Sequence, residues 1–155
     1  MAITDVDTAT SLCPTNDMPW GTLWEGIDIK FLRFGEKSGT YTLMTRFAPG
    51  VELPKHRHFG DVHAYTIQGR WHYKEYDWVA NAGDYIYEPP NSVHTLQVPA
   101  ANTEPTIVIF TIDKGMVLLD EEDQILMIED ATTVYGYYCQ ALQAQGDEIP
   151  TTILP

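Results

Sequence analysis

Two short segments decide the fold of this 155-residue chain: GVELPKHRHFGDVHAYTIQG at 50–69 and GDYIYEPPNSVH at 83–94. His56 and His58 are separated by one residue, so in a β-strand both side chains project to the same face. His94 ends the second segment, just after a Pro-Pro pair that restricts the backbone. A single His-x-His pair is more often a surface feature, but three imidazoles converging inside a barrel can bind one divalent metal ion. We therefore predict a metal site formed by His56, His58 and His94.

The remainder of the chain reads mainly as short strands. Runs rich in aromatic and β-branched residues are separated by Gly, Pro, Asn and Asp. This pattern is typical of an all-β sandwich or barrel. Near the end the period changes, with Asp130 a candidate N-cap and Gly146 a candidate C-terminal cap. We predict an amphipathic helix at about 131–145, packed on the outside of the barrel.

The domain organisation is expected to be simple. Residues 1–17 are polar and patternless, which indicates an N-terminal arm. Residues 18–155, which include the helix, show no repeat or low-complexity linker and are predicted to form a single domain. Within this domain MVLLDEEDQILMIED at 116–130 predicts a hairpin whose acidic run lies at the solvated turn. Gly69, between two alternating runs, predicts a second, tight hairpin.

Charge and composition exclude several classes of partner. The formal net charge of −13 argues against nucleic-acid binding and against docking to anionic membranes. No stretch approaches the roughly 20 apolar residues that span a bilayer, and the first residues lack a secretory signal pattern. Cys13 and Cys139 lie far apart and do not indicate a disulfide framework. We expect a cytoplasmic protein with both thiols reduced.

The two segments resemble the two sequence motifs of the cupin family. His63 stands near the position of the usual glutamate ligand, and Asn91 replaces the glycine of the second motif. Asn91 can adopt the same positive-φ conformation, so the second departure is mild. The resemblance implies an all-β cupin-type fold, a double-stranded β-helix or jelly-roll barrel, with one C-terminal α-helix. The matching residues are Gly50, His56, His58, Gly69, Gly83, Pro89 and His94.

Residues 18–145 resemble a narrower group, the small cupins that cleave carbon–carbon bonds in diketones and hydroxyketones. The likeness to the 2,4′-dihydroxyacetophenone dioxygenases rests on HRH at 56–58, VHAYTIQGRWHY at 62–73 and YEPPNSVHTL at 87–96. The acetylacetone-cleaving dioxygenases resemble this chain more distantly.

This resemblance implies a mononuclear non-haem iron dioxygenase that acts on a small ketone and O2, with Fe(II) as cofactor and a homodimer or homotetramer as the assembly. Ligand chemistry alone also fits Zn, Ni, Cu or Mn. Two alternatives stay open, because one fold hosts many functions. One is a non-redox metal cupin, an isomerase or hydrolase, and the other is a zinc-binding cupin sensor domain.

Three neutral imidazoles would leave a divalent ion its full charge. Such an ion favours an anionic ligand that chelates through oxygen, such as an enolate or a deprotonated hydroxyketone. The absence of the usual glutamate therefore suits ketone activation.

Two further residues are candidates for proton transfer. His63 falls in phase with Tyr65 and Ile67, so we expect it inside the barrel as a fourth ligand, a partner of a ligand, a proton carrier, or a core histidine without a chemical role. Glu88 lies immediately before Pro89. If Glu88 faces the cavity, burial would raise its pKa and suit it to proton abstraction from the substrate; if the strand is turned, it is a surface acid.

Aromatic and basic residues supply candidates for substrate binding. Tyr65, Trp71 and Tyr73 are expected to point inward, where Tyr65 and Trp71 would line a substrate pocket or simply pack the core. Arg46 could pair with a carboxylate or phenolate of the substrate, although an exposed arginine is the commoner case.

Overall fold

The computed structural model describes residues 10–155, and residues 1–9 of the predicted N-terminal arm lie outside that range. Within it the chain forms a 3₁₀ helix at Thr15–Asp17, thirteen strands and one α-helix, α1 (Ala131–Gln145). The strands are β1 (Gly21–Trp24), β2 (Ile27–Phe34), β3 (Tyr41–Phe47), β4 (His56–His58), β5 (Val62–Gln68), β6 (Arg70–Tyr73), β7 (Ala80–Asn81), β8 (Tyr85–Glu88), β9 (Val93–His94), β10 (Leu96–Gln97), β11 (Thr106–Ile112), β12 (Met116–Leu119) and β13 (Ile125–Glu129).

The strands of the described chain form three antiparallel sheets around a common interior. The largest sheet has the order β1-β2-β3-β11-β5-β8, the second the order β13-β12-β4-β9, and the third the order β10-β6-β7. Neighbours in the sheets are often distant in sequence, as in β3-β11-β5, which is characteristic of a jelly roll rather than a simple meander. The predicted all-β barrel with one C-terminal helix is confirmed.

In the central strands of the large sheet, buried residues alternate strictly with more exposed ones. In β3 and β11 every second residue is buried, so Tyr41, Leu43 and Phe47 face the same interior as Phe110 and Ile112. Successive side chains of a strand point to opposite faces, so this pattern covers one face of the six-stranded sheet and leaves the other to solvent. The core continues from this face into the three-stranded sheet and the helix.

Strand β5 alternates as predicted but with the opposite face inward. Val62, Ala64 and Thr66 are buried, while His63 and Tyr65 are exposed. The prediction that His63 and Tyr65 lie inside the barrel is therefore wrong. The reason is volume: the fully buried indole of Trp71 fills the space beneath β5, and its N–H donates to Thr66 Oγ1 over 2.9 Å. Small side chains are needed opposite such a large one.

Gly69 connects two sheets instead of turning a hairpin. It links β5 of the six-stranded sheet to β6 of the three-stranded sheet, so the hairpin prediction at this position is wrong. Its φ of +76° is one that glycine adopts freely, and a Cβ here would lie 2.8 Å from the Thr106 backbone. The predicted hairpin at 116–130 does form, as β12 and β13 pair with the acidic run at their turn.

The helix begins and ends at the predicted residues. Asp130 accepts a hydrogen bond from the Thr133 N–H in a capping box, and Gly146 adopts the left-handed conformation with φ 80°. Val134, Tyr138 and Leu142 face inward and pack the helix against β1 and β2 on the outside of the barrel. No helix among residues 10–155 is long and apolar enough to cross a membrane.

Candidate metal centre

The three predicted histidines meet on two adjacent strands of the four-stranded sheet. His56 and His58 occupy the first and last positions of β4, and both are buried while Arg57 between them is exposed. His94 on β9 lies directly opposite His56 in the antiparallel register. Directly paired residues project to the same side of a sheet, so all three imidazoles enter the interior together.

A tight turn brings β9 into this register. The turn contains Asn91 at φ 65°, the positive-φ conformation expected from the sequence. The Asn91 N–H donates to the carbonyl of His58 over 2.9 Å, and the His58 N–H donates to the Ser92 carbonyl over 3.2 Å. These two bonds tie the turn to β4 and so fix His94 relative to His58.

The ring geometry suits a single ion. One ligand nitrogen from each of His56, His58 and His94 lies within 4.8 Å of the others. The ring centroid of His56 is 4.9 Å from that of His58 and 4.7 Å from that of His94. His56 Nδ1 lies 3.0 Å from the Pro54 carbonyl, a bond that fixes the ring and leaves Nε2 free as a ligand.

The environment keeps His56 neutral. Burial, followed by the neighbouring His58 and His94, lowers the pKa of His56 to about 3, against the opposing effects of the Pro54 carbonyl and Glu88. A metal-binding imidazole must be unprotonated. His56 is therefore ready to ligate at neutral pH.

Glu88 contributes a carboxylate at the same place. It is 3% exposed, with Oε2 at 3.1 Å from His58 Nε2 and 3.2 Å from His94 Nε2. Of the two orientations left open by the sequence, the structure has the inward one. A carboxylate beside the histidines would lower the net charge of a bound divalent complex from +2 to +1. The centre thus differs from the three-imidazole site with full charge that the sequence suggested.

The pKa of Glu88 moves in the direction opposite to the expected one. Burial by itself would raise it, but the close approach of the His58 and His94 rings outweighs burial and holds the pKa well below its ordinary value. The Tyr73 hydroxyl also donates a hydrogen bond to Glu88 Oε1. Glu88 is therefore an ionised carboxylate in the folded protein.

The donor set fits a divalent metal ion. His94 Nε2 and Glu88 Oε2 are buried and close together, yet neither forms an aligned hydrogen bond. Buried polar groups normally form hydrogen bonds. Polar atoms that lie close together without bonding one another are therefore available as ligands for an ion. Imidazole nitrogens with a carboxylate oxygen match the preferences of Zn, Fe, Ni and Mn alike.

A cavity of about 80 Å³ leads to this centre. His56, His58 and Tyr73 form part of its wall, while Glu88 contacts it only through His58 and Tyr73. The remaining lining is mostly apolar and comes from all around the barrel. It comprises Leu23, Trp24, Ile27, Ile29, Tyr41, Leu43, Thr45, Phe47, Leu53, Leu96, Phe110, Ile112, Met116, Glu129 and Val134.

Other predicted site residues lie away from the cavity. Arg46 is on the outer face of β3, where it bonds Asp28 across the strand pair at 2.8 and 3.0 Å and stacks over the Trp20 ring. The prediction that Arg46 contacts the substrate is therefore wrong, because the ion pair with Asp28 holds its side chain on the outer face of the sheet, away from the cavity. Trp71 is buried in the core as expected, but it is not among the residues that line the cavity.

His63 and Tyr65 also face outward, so neither reaches the histidine centre. The His63 ring contacts the Tyr85 hydroxyl and lies 3.7 Å from an Asp61 carboxylate oxygen. Its side chain is 46% exposed. A fourth ligand at this position is excluded by the orientation of β5.

Two titratable cavity residues escaped prediction, Tyr41 and Glu129. Glu129 follows four exposed apolar residues and precedes the helix cap, so the sequence reads it as one more surface acid. The structure buries it to 3% exposure opposite Met116, which is itself opposite His58. That relationship depends on three strands aligning, and no local signal encodes it.

Comparison with known proteins supports the fold. The family described as the ChrR cupin-like domain matches residues 8–116. A cupin-like protein of unknown function from Ralstonia eutropha JMP134 is 32% identical, with a TM-score of 0.81 over 90% of this chain and 93% of that chain. An RmlC-like cupin from the same organism is 30% identical, with a TM-score of 0.84 over 93% of this chain and 94% of the other.

A more distant structure bears the name of an enzyme. The acetylacetone dioxygenase of Acinetobacter johnsonii is 14% identical, with a TM-score of 0.68 over 75% of this chain and 78% of that one. At this identity the likeness shows the fold alone. A search of curated proteins finds no significant match.

Proposed function

This chain belongs to the ChrR cupin-like domain family, and from that premise we propose that it is a mononuclear non-haem metal dioxygenase that cleaves a carbon–carbon bond in a small diketone or hydroxyketone. The observation that carries the proposal is a mostly apolar cavity whose wall includes His56 and His58. A purely structural metal would need no such access, whereas catalytic sites keep a position open.

The reaction is balanced with O2 as the oxidant. A hydroxyketone R–CO–CH2OH and one O2 give R–COOH and formic acid, and a 1,3-diketone gives one acid and one 1,2-dicarbonyl compound. In both cases the bond beside the carbonyl breaks and both oxygen atoms end in the products. A bound Fe(II) ion would polarise the two substrate oxygens and supply the redox chemistry with O2.

The chain's own residues would hold the ion and position the ketone. His56, His58 and His94 would hold the ion, and the apolar wall excludes bulk water from the substrate. Tyr73 lines the cavity and donates to Glu88, which fixes the phenolic oxygen where it can accept a hydrogen bond from the substrate. Glu88 acts through Tyr73 and the histidines, since it does not itself line the cavity.

A zinc-binding cupin sensor domain is the second candidate, because the family is named after ChrR, which a solved complex identifies as an anti-sigma factor. The two functions differ in metal and in oxygen use. Protein purified without added metal is analysed for Fe and Zn, and O2 uptake is followed with pentane-2,4-dione and 1-hydroxypropan-2-one. We expect about one iron per chain and one O2 consumed per ketone cleaved. Stoichiometric zinc without O2 uptake across a panel of ketones would contradict the dioxygenase.

A further inference from the structure

The cavity has a polar pair set in an otherwise apolar wall. Tyr41 is fully buried and Glu129 is 3% exposed, and both line the cavity. The Tyr41 hydroxyl and Glu129 Oε1 have no hydrogen-bond partner in the described protein. Their neighbours in the lining include Leu43, Ile112 and Val134, which offer nothing to bond.

Two unpartnered polar groups in one apolar cavity need an explanation. Leaving a buried donor or acceptor unsatisfied costs stability. Phenylalanine and leucine at these positions would avoid the cost and pack as well. Native proteins keep such groups where a ligand or an ordered water completes them.

The backbone aims both side chains at the same space. Glu129 ends β13 opposite Met116, and Met116 is paired on its other side with the ligand His58. Tyr41 begins β3 opposite Ile112 of the neighbouring strand β11 in the same sheet. The polar pair and the metal centre therefore share one cavity, with Glu129 separated from His58 by the width of strand β12.

The two groups are suited to a neutral partner. Burial raises the pKa of Glu129 to about 7, so a large fraction of the carboxyl is protonated near neutral pH. Burial, then the nearby Glu129 and Asp130, raises the pKa of the Tyr41 hydroxyl, which stays protonated. Both hydroxyls can then donate and accept, and an anionic partner would be repelled whenever Glu129 ionises.

We propose that Tyr41 and Glu129 bind a neutral hydroxyl group at the end of the substrate remote from the metal, which makes the substrate a hydroxyl-bearing small ketone. This inference rests on the proposed function, because it assumes that the other end of the same molecule chelates the ion. The lining of the cavity is mostly apolar, so the two polar ends of the substrate are joined by a hydrocarbon segment.

The test uses two isosteric probes, propyl acetoacetate and 2-hydroxyethyl acetoacetate. Both carry the same 1,3-dicarbonyl chelating group, and they differ only in a terminal methyl against a terminal hydroxyl. Binding to the metal-loaded protein is measured by calorimetry without O2, so that no turnover occurs. We expect the wild-type protein to bind the hydroxyethyl ester at least about tenfold more tightly, since a site built to hydrogen-bond a hydroxyl rejects the analogue that lacks it.

Variants assign the preference to the polar pair. Tyr41→Phe removes one oxygen and should lower the preference to about threefold or less, as should Glu129→Leu. Glu129→Gln keeps a donor and an acceptor and should retain most of the preference. Tyr138→Phe is the matched control, because its buried hydroxyl donates to the Pro19 carbonyl over 2.8 Å and does not line the cavity.

Three outcomes would overturn the inference: equal binding of the two esters to the wild-type protein, a preference that survives unchanged in Tyr41→Phe or in a folded Glu129→Leu, or binding of neither ester. Tyr41→Phe changes a single atom, so the test holds even if Glu129→Leu fails to fold. Absence of O2 uptake with the wild-type protein would contradict the dioxygenase function and leave the binding ratio as a valid measurement.

Discussion

The phenol ring of Tyr73 lies against the imidazole of His94, with ring centroids 3.8 Å apart and planes inclined by 17°. The hydroxyl of the same tyrosine donates to Glu88, whose other oxygen is 3.2 Å from His94 Nε2. Tyr73 therefore fixes both the plane of a ligand ring and the carboxylate beside it. Groups that orient a ligand typically change metal affinity when they are removed.

Replacing Tyr73 by Phe should affect stability and metal affinity together. The ring stack on His94 is kept, but Glu88 loses a buried hydrogen bond, which costs about 1–3 kcal/mol of the free energy of unfolding. Metal affinity should fall by about 10–100-fold. Urea unfolding with a chelator present gives the first quantity, and competition with a chromophoric chelator gives the second. Tyr76→Phe, at a side chain 46% exposed, should stay within about 0.5 kcal/mol of wild type; equal effects of the two substitutions would contradict this prediction.

The double variant His56→Ala/His58→Ala should lose the bound metal. Two of three clustered ligands disappear, and one imidazole does not hold a divalent ion at the concentrations left after dialysis. Elemental analysis of the purified protein measures the loss against about one ion per chain in the wild type. His63→Ala is the control, since this exposed histidine lies on the outer face of β5 and its removal should leave the metal content unchanged. Unchanged content in the double variant would refute the site.

The stability contribution of Glu129 should depend on pH. Its pKa is about 7 in the folded protein against an ordinary value of 4.5, so its contribution is fully present below about pH 4.5 and is lost as the pH rises through 7. Glu129→Gln lacks this titration. The free energy of unfolding of the wild type should therefore fall relative to that of the variant between pH 4.5 and 8, by at most about 3 kcal/mol.

Denaturant unfolding at several pH values, with a chelator in every sample, measures this difference. Glu121→Gln, at the exposed tip of the β12–β13 turn, controls for the loss of one acidic residue. Curves that stay parallel for wild type and Glu129→Gln would show that Glu129 is not buried as described.

Two glycine substitutions should change stability in opposite directions. Gly69→Ala forces a side chain into a positive-φ position within 2.8 Å of the Thr106 backbone, and we expect a loss of about 2 kcal/mol or more in the free energy of unfolding. Gly136 lies inside α1 with nothing within 4 Å of a Cβ, so Gly136→Ala should gain about 0.5–1 kcal/mol. Thermal or urea unfolding measures both changes. A Gly69→Ala variant as stable as the wild type would contradict the steric conflict expected with Thr106.

Part of the histidine cluster could be predicted because its geometry is local. One intervening residue places His56 and His58 on one strand face, whereas His94 is assigned from the order and framing of the second segment and meets them only through strand pairing. The helix is predicted from local geometry as well, because Asp130 and Gly146 cap it by contacts within one turn. The strand face of the first two histidines and the helix caps require no knowledge of the rest of the fold.

The orientation of β5 could not be predicted in the same way. A period of two assigns residues to two faces but does not say which face is inside. The phase of His63 and Tyr65 along the strand predicts that both point inward. In the structure both point outward, because the other face of β5 packs on the buried Trp71 of another sheet. The predicted substrate contact of Arg46 was wrong for a similar reason: its partner Asp28 lies on the neighbouring strand, and the sequence alone does not show that pairing.

The sequence by itself determined the strand pattern, the placing of His56 and His58 on one strand face, and the helix, since each follows from spacing, turn residues or caps within a few positions. Tertiary structure alone decided that Glu88 stands beside His58 and His94, and that Tyr41 and Glu129 face the same cavity. The physical reason is that these contacts join strands far apart in the chain. The register of these strands is set by packing of the whole core. The sequence alone does not distinguish a glutamate that becomes buried from one that stays exposed.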